Sequence, residues 1–115
     1  MENALRMVLL LDFYGPLLTD RQQEVFQMYF HDDLSLGEIG EELGVSRQAI
    51  YDIVRRTGLI LEEFDSKLGL IERHRERQLL YGELLALIEL CRQDGASSPH
   101  LIAMEEKILK ARSTS

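Results

Sequence analysis

Apolar residues recur along the chain at spacings of three and four, and no stretch alternates with period two over the length of a strand, so the pattern predicts an all-α protein. The first predicted helix covers about Ala4 to Tyr14, with Asn3 as its N-cap and Gly15-Pro16 as its stop. Thr19 and Gln22 then fit a capping box. They open a helix whose Val25, Phe26, Tyr29 and Phe30 lie on one face, down to the break at His31-Asp32-Asp33. Ser35 and Glu38 fit a second box, followed by an inner face of Leu36, Ile39 and Leu43 and by Gly44. Ser46 caps the next helix. Its buried stripe is Ala49, Ile50, Ile53 and Val54, and its outward positions are Arg47, Gln48, Tyr51, Asp52, Arg55 and Arg56.

The periodicity of Leu61, Phe64, Leu68 and Ile71 carries helix past Gly58, with a weak point at Gly69. A long helix is expected from about Ile71 to Gln93. Its second half presents Leu80, Leu84, Leu87 and Cys91, flanked by Tyr81, Leu85 and Ile88, a stripe too wide for one neighbour to cover. Asp94-Gly95 ends it, and Ser98-Pro99 starts a last helix lined by Leu101, Met104, Ile108 and Leu109, with a frayed tail over Ser113 to Ser115. The expected organisation is an N-terminal bundle over residues 1–59 containing a helix-turn-helix at 34–56. A helical C-terminal extension over 60–115 packs with it and serves dimerisation through Leu80, Leu84, Leu87 and Cys91.

The segment Leu34 to Arg56 gives the turn its physical logic. Gly44 accepts the positive φ of a tight inter-helix turn, Gly40 is the small contact where the two helices cross, and Ile39, Val45 and Ile50 lock the crossing angle. Two helices so joined cross steeply and offer the second to a DNA major groove.

The stretch Leu34-Ser35-Leu36-Gly37-Glu38-Ile39-Gly40-Glu41-Glu42-Leu43-Gly44-Val45-Ser46-Arg47-Gln48-Ala49-Ile50-Tyr51 resembles region four of bacterial primary sigma factors. Over nearly the whole chain, Leu11-Asp12-Phe13-Tyr14-Gly15-Pro16-Leu17-Leu18-Thr19, the motif through Asp52, and Lys67-Leu68-Gly69-Leu70 are similar to the YlxM family of Firmicutes and Mollicutes. That resemblance implies a helix-turn-helix protein that regulates, or takes part in, the signal recognition particle pathway. Its implied partners are DNA or the particle's protein, RNA or receptor. The likeness to sigma region four places base and phosphate contacts on Arg47, Gln48, Tyr51, Asp52 and Arg55. Many sigma factors carry Arg where this chain has Ala49 and Tyr51, so promoter-like recognition does not carry over. On physical grounds Gln48 can pair with an adenine edge, Arg47 or Arg55 can reach guanine or phosphate, and Ser35 can donate to the backbone.

Composition tempers this picture. The 115 residues suit one ordinary domain, and 45% hydrophobic with 29% charged residues is a globular composition. The net charge is −7, distributed as −1 over residues 1–17, −4 over 18–59 and −2 over 60–115, which opposes tight nonspecific DNA binding. Arg47, Arg55 and Arg56 nevertheless oppose only Asp52 on the outward face. Arg73, Arg75 and Arg77 alternate with Glu72 and Glu76 and read as a solvated face.

The single cysteine, Cys91, excludes an internal disulfide, suits a reducing cytoplasm and is expected to be buried and inert. Met7 to Leu11 is too short to span a bilayer, so no membrane insertion is expected. His31 beside Asp32 and Asp33 lacks further ligands nearby, and no phosphate loop or acid/base constellation is present. Neither a metal, a cofactor nor an enzymatic activity is expected.

Overall fold

The computed structural model describes residues 4–114, and the regular structure among them is helical throughout. The elements are α1 (Ala4–Tyr14), a 3-10 turn (Gly15–Leu17), α2 (Asp20–Phe30), α3 (Leu36–Leu43), α4 (Arg47–Leu68), α5 (Leu70–Gln93) and α6 (Pro99–Thr114). This is the all-α helix-turn-helix class, extended by long C-terminal helices. The chain forms two compact units, Met1–Ile71 and Glu72–Ser115.

In the first unit the ends of the helices follow from their caps. The Thr19 hydroxyl accepts from the Gln22 N–H at 3.2 Å, and the Gln22 side-chain oxygen accepts from the Thr19 N–H at 3.1 Å. These reciprocal bonds satisfy donors that the first turn of α2 would otherwise leave orphaned. Pro16 sits at the start of the 3-10 turn, where its missing N–H costs nothing. The expected cap Asn3 lies outside the described residues.

Helix α4 packs against α1, α2 and α3. It sinks Ile50, Val54 and Leu61 into a core with Leu10 and Tyr14 of α1, Val25 and Phe26 of α2 and Ile39 of α3. Each large apolar side chain so buried contributes about 1.5–3 kcal/mol, enough for α4 to run unbroken through Gly58. It stops at Gly69, whose φ of 61° ends the helix, so the periodicity marked the break correctly.

A polar tie joins the two ends of this unit. The buried Tyr14 hydroxyl donates to Asp65 Oδ1 at 2.7 Å and accepts from the Leu70 N–H at 3.0 Å, the first residue of α5. Arg6 clasps Glu62 through Nε at 3.0 and 3.1 Å and reaches Asp65 Oδ2 at 3.2 Å. The end of α4 and the backbone of Leu70 are thereby tied to α1. Burial works to raise the Asp65 carboxyl, but bonds from the Tyr14 hydroxyl, the Ile71 N–H and Arg6 outweigh it and hold it below its ordinary value. Burial, and then the bond to Asp65, pushes Tyr14 up, so the phenol stays protonated at neutral pH.

The second unit contains α6 and α5 from Glu72 onward, turned at Gly95 with φ of 89°. Arg92 of α5 donates to both carboxylate oxygens of Glu105 on α6 at 2.8 and 3.2 Å, and Gln78 donates to the Arg112 carbonyl at 3.2 Å. Ile88 and Leu101 are its buried apolar side chains. Within the second unit α6 covers only one strip of α5, and Cys91 is exposed, against expectation. The frayed tail is also corrected. Ser113 and Thr114 are helical, their hydroxyls donating to the Lys110 carbonyl at 2.9 and 3.1 Å, and Ser115 lies outside the described residues.

Tyr14→Phe strands the Leu70 N–H and leaves Asp65 Oδ1 with only its longer bond from the Ile71 N–H, and is expected to lower unfolding free energy by about 1–3 kcal/mol in urea titrations at neutral pH. Because the folded Asp65 carboxyl lies below its unfolded value of 3.8, its contribution is complete above that pH. It fades as pH falls through the lower folded value. Asp65→Asn should therefore reduce stability at neutral pH and flatten the acid limb of the stability profile. An acid limb identical to wild type would contradict this assignment.

Candidate nucleic-acid interface

The turn between α3 and α4 is built almost wholly from backbone. The Ser35 hydroxyl accepts from the Glu38 N–H at 3.1 Å while Glu38 accepts from the Ser35 N–H at 3.0 Å, which fixes the start of α3. That backbone bond, and then the hydroxyl, hold the Glu38 carboxyl below its usual range. At the other end Gly44 takes φ of 72°, and the Val45 N–H returns to the Gly40 carbonyl at 2.9 Å. Ser46 caps α4 by accepting from the Ala49 N–H at 3.0 Å.

Gly40 is where the chain folds back on itself. A Cβ there would stand 2.7 Å from the Val45 carbonyl oxygen and 3.4 Å from the carbonyl carbon of Ser46. Ile39 and Ile50 are fully buried beside this crossing, as expected. Val45 is not, and 40% of its surface is exposed. Its carbonyl rather than its side chain makes the close approach, so the angle is locked by main-chain proximity and not by a valine plug.

The outward face of α4 is as the spacing predicts. Arg47, Gln48, Tyr51, Asp52, Arg55 and Arg56 are all exposed, over the helix's first three turns. Gln48 Nε2 donates to Asp52 Oδ1 at 3.1 Å, one turn along. The first turn of α4 carries no acidic residue, leaving the positive end of the helix dipole uncompensated. Ser35 stands at the start of α3; its hydroxyl accepts from Glu38 and keeps its own proton available to donate. In the first unit Arg6 pairs with Glu62 and Asp65, Arg21 with Glu24 and Lys67 with Glu63. Arg47, Arg55 and Arg56, the remaining bases of that unit, have no carboxylate partner among the described residues.

The face continues into a groove of 450 Å³ that sequence reasoning missed. Tyr51 and Arg55 line it together with Met7, Phe26 and Phe30, and Gly58 lies on its course. The available signal was Gly58 itself, a glycine inside a helical stripe. Among the described residues no group of three or more His, Cys, Asp or Glu could hold a metal, and no helix is long and apolar enough to cross a membrane. His31 lies 3.8 Å from Asp12. The other predicted site, Leu80, Leu84, Leu87 and Cys91, lies on α5 in the second unit, with each residue exposed.

A tri-helical support, a glycine turn and an exposed second helix define a helix-turn-helix protein. The sequence profile of the UPF0122 family, described as "Putative helix-turn-helix protein, YlxM / p13 like", matches residues 1–94, and the chain belongs to this family. A UPF0122 protein of Thermoanaerobacter sp. (strain X514) is 43% identical over 109 residues, covering 95% of this chain and 92% of its own length. A UPF0122 protein of Bacillus thuringiensis (strain Al Hakam) is 50% identical over 88 residues, covering 76% of this chain and 80% of its own.

Gly40→Ala must push the Val45 carbonyl aside, and a loss of about 1–3 kcal/mol is expected by urea unfolding. Gly37→Ala is the internal control. Its Cβ would meet only the Ser35 hydroxyl at 3.9 Å, and it should leave stability unchanged or raise it. Equal effects from the two substitutions would contradict the close-approach account.

Proposed function

We propose that this protein is a DNA-binding regulator that acts as a homodimer, each copy presenting Arg47, Gln48, Tyr51, Asp52, Arg55 and Arg56 of α4 to a major groove. The observation that carries this reading is the distribution of ion pairs. On the first unit every arginine and lysine outside this face is paired with a carboxylate, and the three arginines on it have none among the described residues. Clustered, unneutralised arginines repel one another and are matched by the phosphates of a duplex.

Asp52 takes one amide hydrogen of Gln48 and leaves the other, with the carbonyl oxygen, free. Those two groups are what a bidentate pair with an adenine edge requires, so Asp52 orients the reader. Arg47 and Arg55 reach guanine or phosphate, Arg56 a phosphate, and Ser35 donates to the backbone. A narrow cationic face on an acidic protein favours a specific site over nonspecific coating of DNA.

Dimerisation is assigned to α5, where Leu80, Leu84, Leu87 and Cys91 follow one another at four, three and four residues. Leu80, Leu84 and Leu87 are 53%, 37% and 58% exposed, an apolar row that a second copy would remove from water. The acidic surface supports a second reading, in which a basic partner is met by the helical surface. The family resemblance points there to signal recognition particle protein, RNA or receptor.

Labelled genomic fragments should be retained selectively, with affinity falling steeply between about 50 and 200 mM salt. Arg47→Ala is expected to weaken retention of all fragments, and Gln48→Ala to lose about 1–3 kcal/mol of discrimination at one base pair. No selective retention by wild type, with capture of purified particle components instead, would replace this reading by the second one. Leu84→Glu combined with Leu87→Glu should give a monomer in sedimentation equilibrium with helix content intact. A dimer that survives both charges would move the interface elsewhere.

A further inference from the structure

Tyr51, Arg55, Gly58 and Glu62 follow one another along α4 at four, three and four residues, one stripe of the helix. Phe30 of α2 walls the groove beside that stripe, and the buried Met7 of α1 and Phe26 of α2 underlie it. Its 450 Å³ falls within the range of small-molecule sites, which are lined by apolar and aromatic side chains with a few polar groups at fixed places.

Gly58 is the telling residue. It stands inside a 22-residue helix, where glycine is the least favourable residue after proline. Gly40 is required by a 2.7 Å approach to backbone, but a Cβ on Gly58 would meet only Met7 Sδ at 3.7 Å and Phe26 Cε1 at 3.9 Å, ordinary contacts. Packing does not demand a glycine there. The missing side chain leaves the floor of the groove open.

The groove's two charged residues differ in state. The Glu62 carboxylate is already bonded by Arg6 Nε at 3.0 and 3.1 Å, whereas Arg55 has no carboxylate partner among the described residues. The groove therefore offers an apolar trough with one unsatisfied cation. Met7, a flexible thioether beneath Gly58, lies close enough to report an occupant.

We propose that this groove binds a small amphiphilic anion, its apolar body lying over Gly58 and against Phe30 and Tyr51, above the buried Met7 and Phe26, and its carboxylate on Arg55. Tyr51 and Arg55 also belong to the outward face of α4, so an occupied groove withdraws Arg55 from a phosphate. Ligand and DNA then oppose each other by the same factor in both directions. Only this coupling rests on the DNA-binding reading; the site does not.

Decanoate, kept below its micelle concentration, is the probe, and the methyl resonance of Met7 in methionine-methyl-labelled full-length protein is the readout, assigned with Met7→Leu. A saturable shift of Met7 but not of Met104 is expected, with decanol at least tenfold weaker. Arg55→Gln should erase the preference for decanoate over decanol. Gly58→Ala should raise the melting temperature, since alanine favours the helix, while weakening decanoate severalfold. No saturable shift at Met7, equal affinity for decanoate and decanol in wild type, or undiminished binding by Gly58→Ala would overturn the site. Decanoate should also lower DNA retention severalfold. Saturation of Met7 by a protein that retains no DNA would keep the site and remove the DNA reading, and DNA retention without a Met7 shift would do the reverse.

Discussion

A carbonyl oxygen of Val45 occupies the space that any side chain on residue 40 would need, and this approach sets the relation between the third and fourth helices. With Gly44 in the left-handed region, the chain reverses over a few residues without exposing Leu36 or Ile39. Ser46 can then cap α4 just where Ile50 meets the core. Had a bulkier residue 40 opened the turn, the stripe that buries Ile50 and Val54 would rotate. The exposed half of α4 that carries the arginines would turn with it. The candidate interface is thus a by-product of main-chain packing three residues before the turn.

Much of this was legible in the sequence because its causes are local. Both capping boxes, the glycine turn and the stripe on α4 depend on residues within four positions of one another, and periodicity records such relations directly. The tie among Tyr14, Asp65 and Leu70 was not legible. Asp65 reads as one more surface acid on a helix, and its partner lies 51 positions away. Val45 and Cys91 misled for a related reason. An apolar residue in an apolar pattern is expected inside, but burial needs a neighbour on that side, and pattern alone cannot count neighbours.

The candidate site was readable as a row of exposed residues and unreadable as a shape. Spacing placed Arg47, Gln48, Tyr51, Asp52, Arg55 and Arg56 on one face, but that three arginines there have no carboxylate partner among the described residues depends on where the acids of other helices fall. A net charge of −7 says little about such a surface when the other cations of the first unit, Arg6, Arg21 and Lys67, are already held in internal pairs. The groove beside Arg55 was hidden because a glycine is conspicuous in sequence only as a weak helix former, and what it leaves open is a matter of three helices.

The bond from Tyr14 to Asp65 and Leu70 also bears on synthesis. On a ribosome the chain emerges at about 5–20 residues per second. The first helix is therefore outside for seconds before the partner that completes its polar tie. Until Asp65 and Leu70 follow, the Tyr14 hydroxyl has only water to bond, and the core lacks Leu61. The helix-turn-helix segment must wait, partly formed, for a stretch of chain beyond its own end. A nascent chain truncated before residue 65 would carry every residue of the proposed reading head and still lack the clasp that holds its support together.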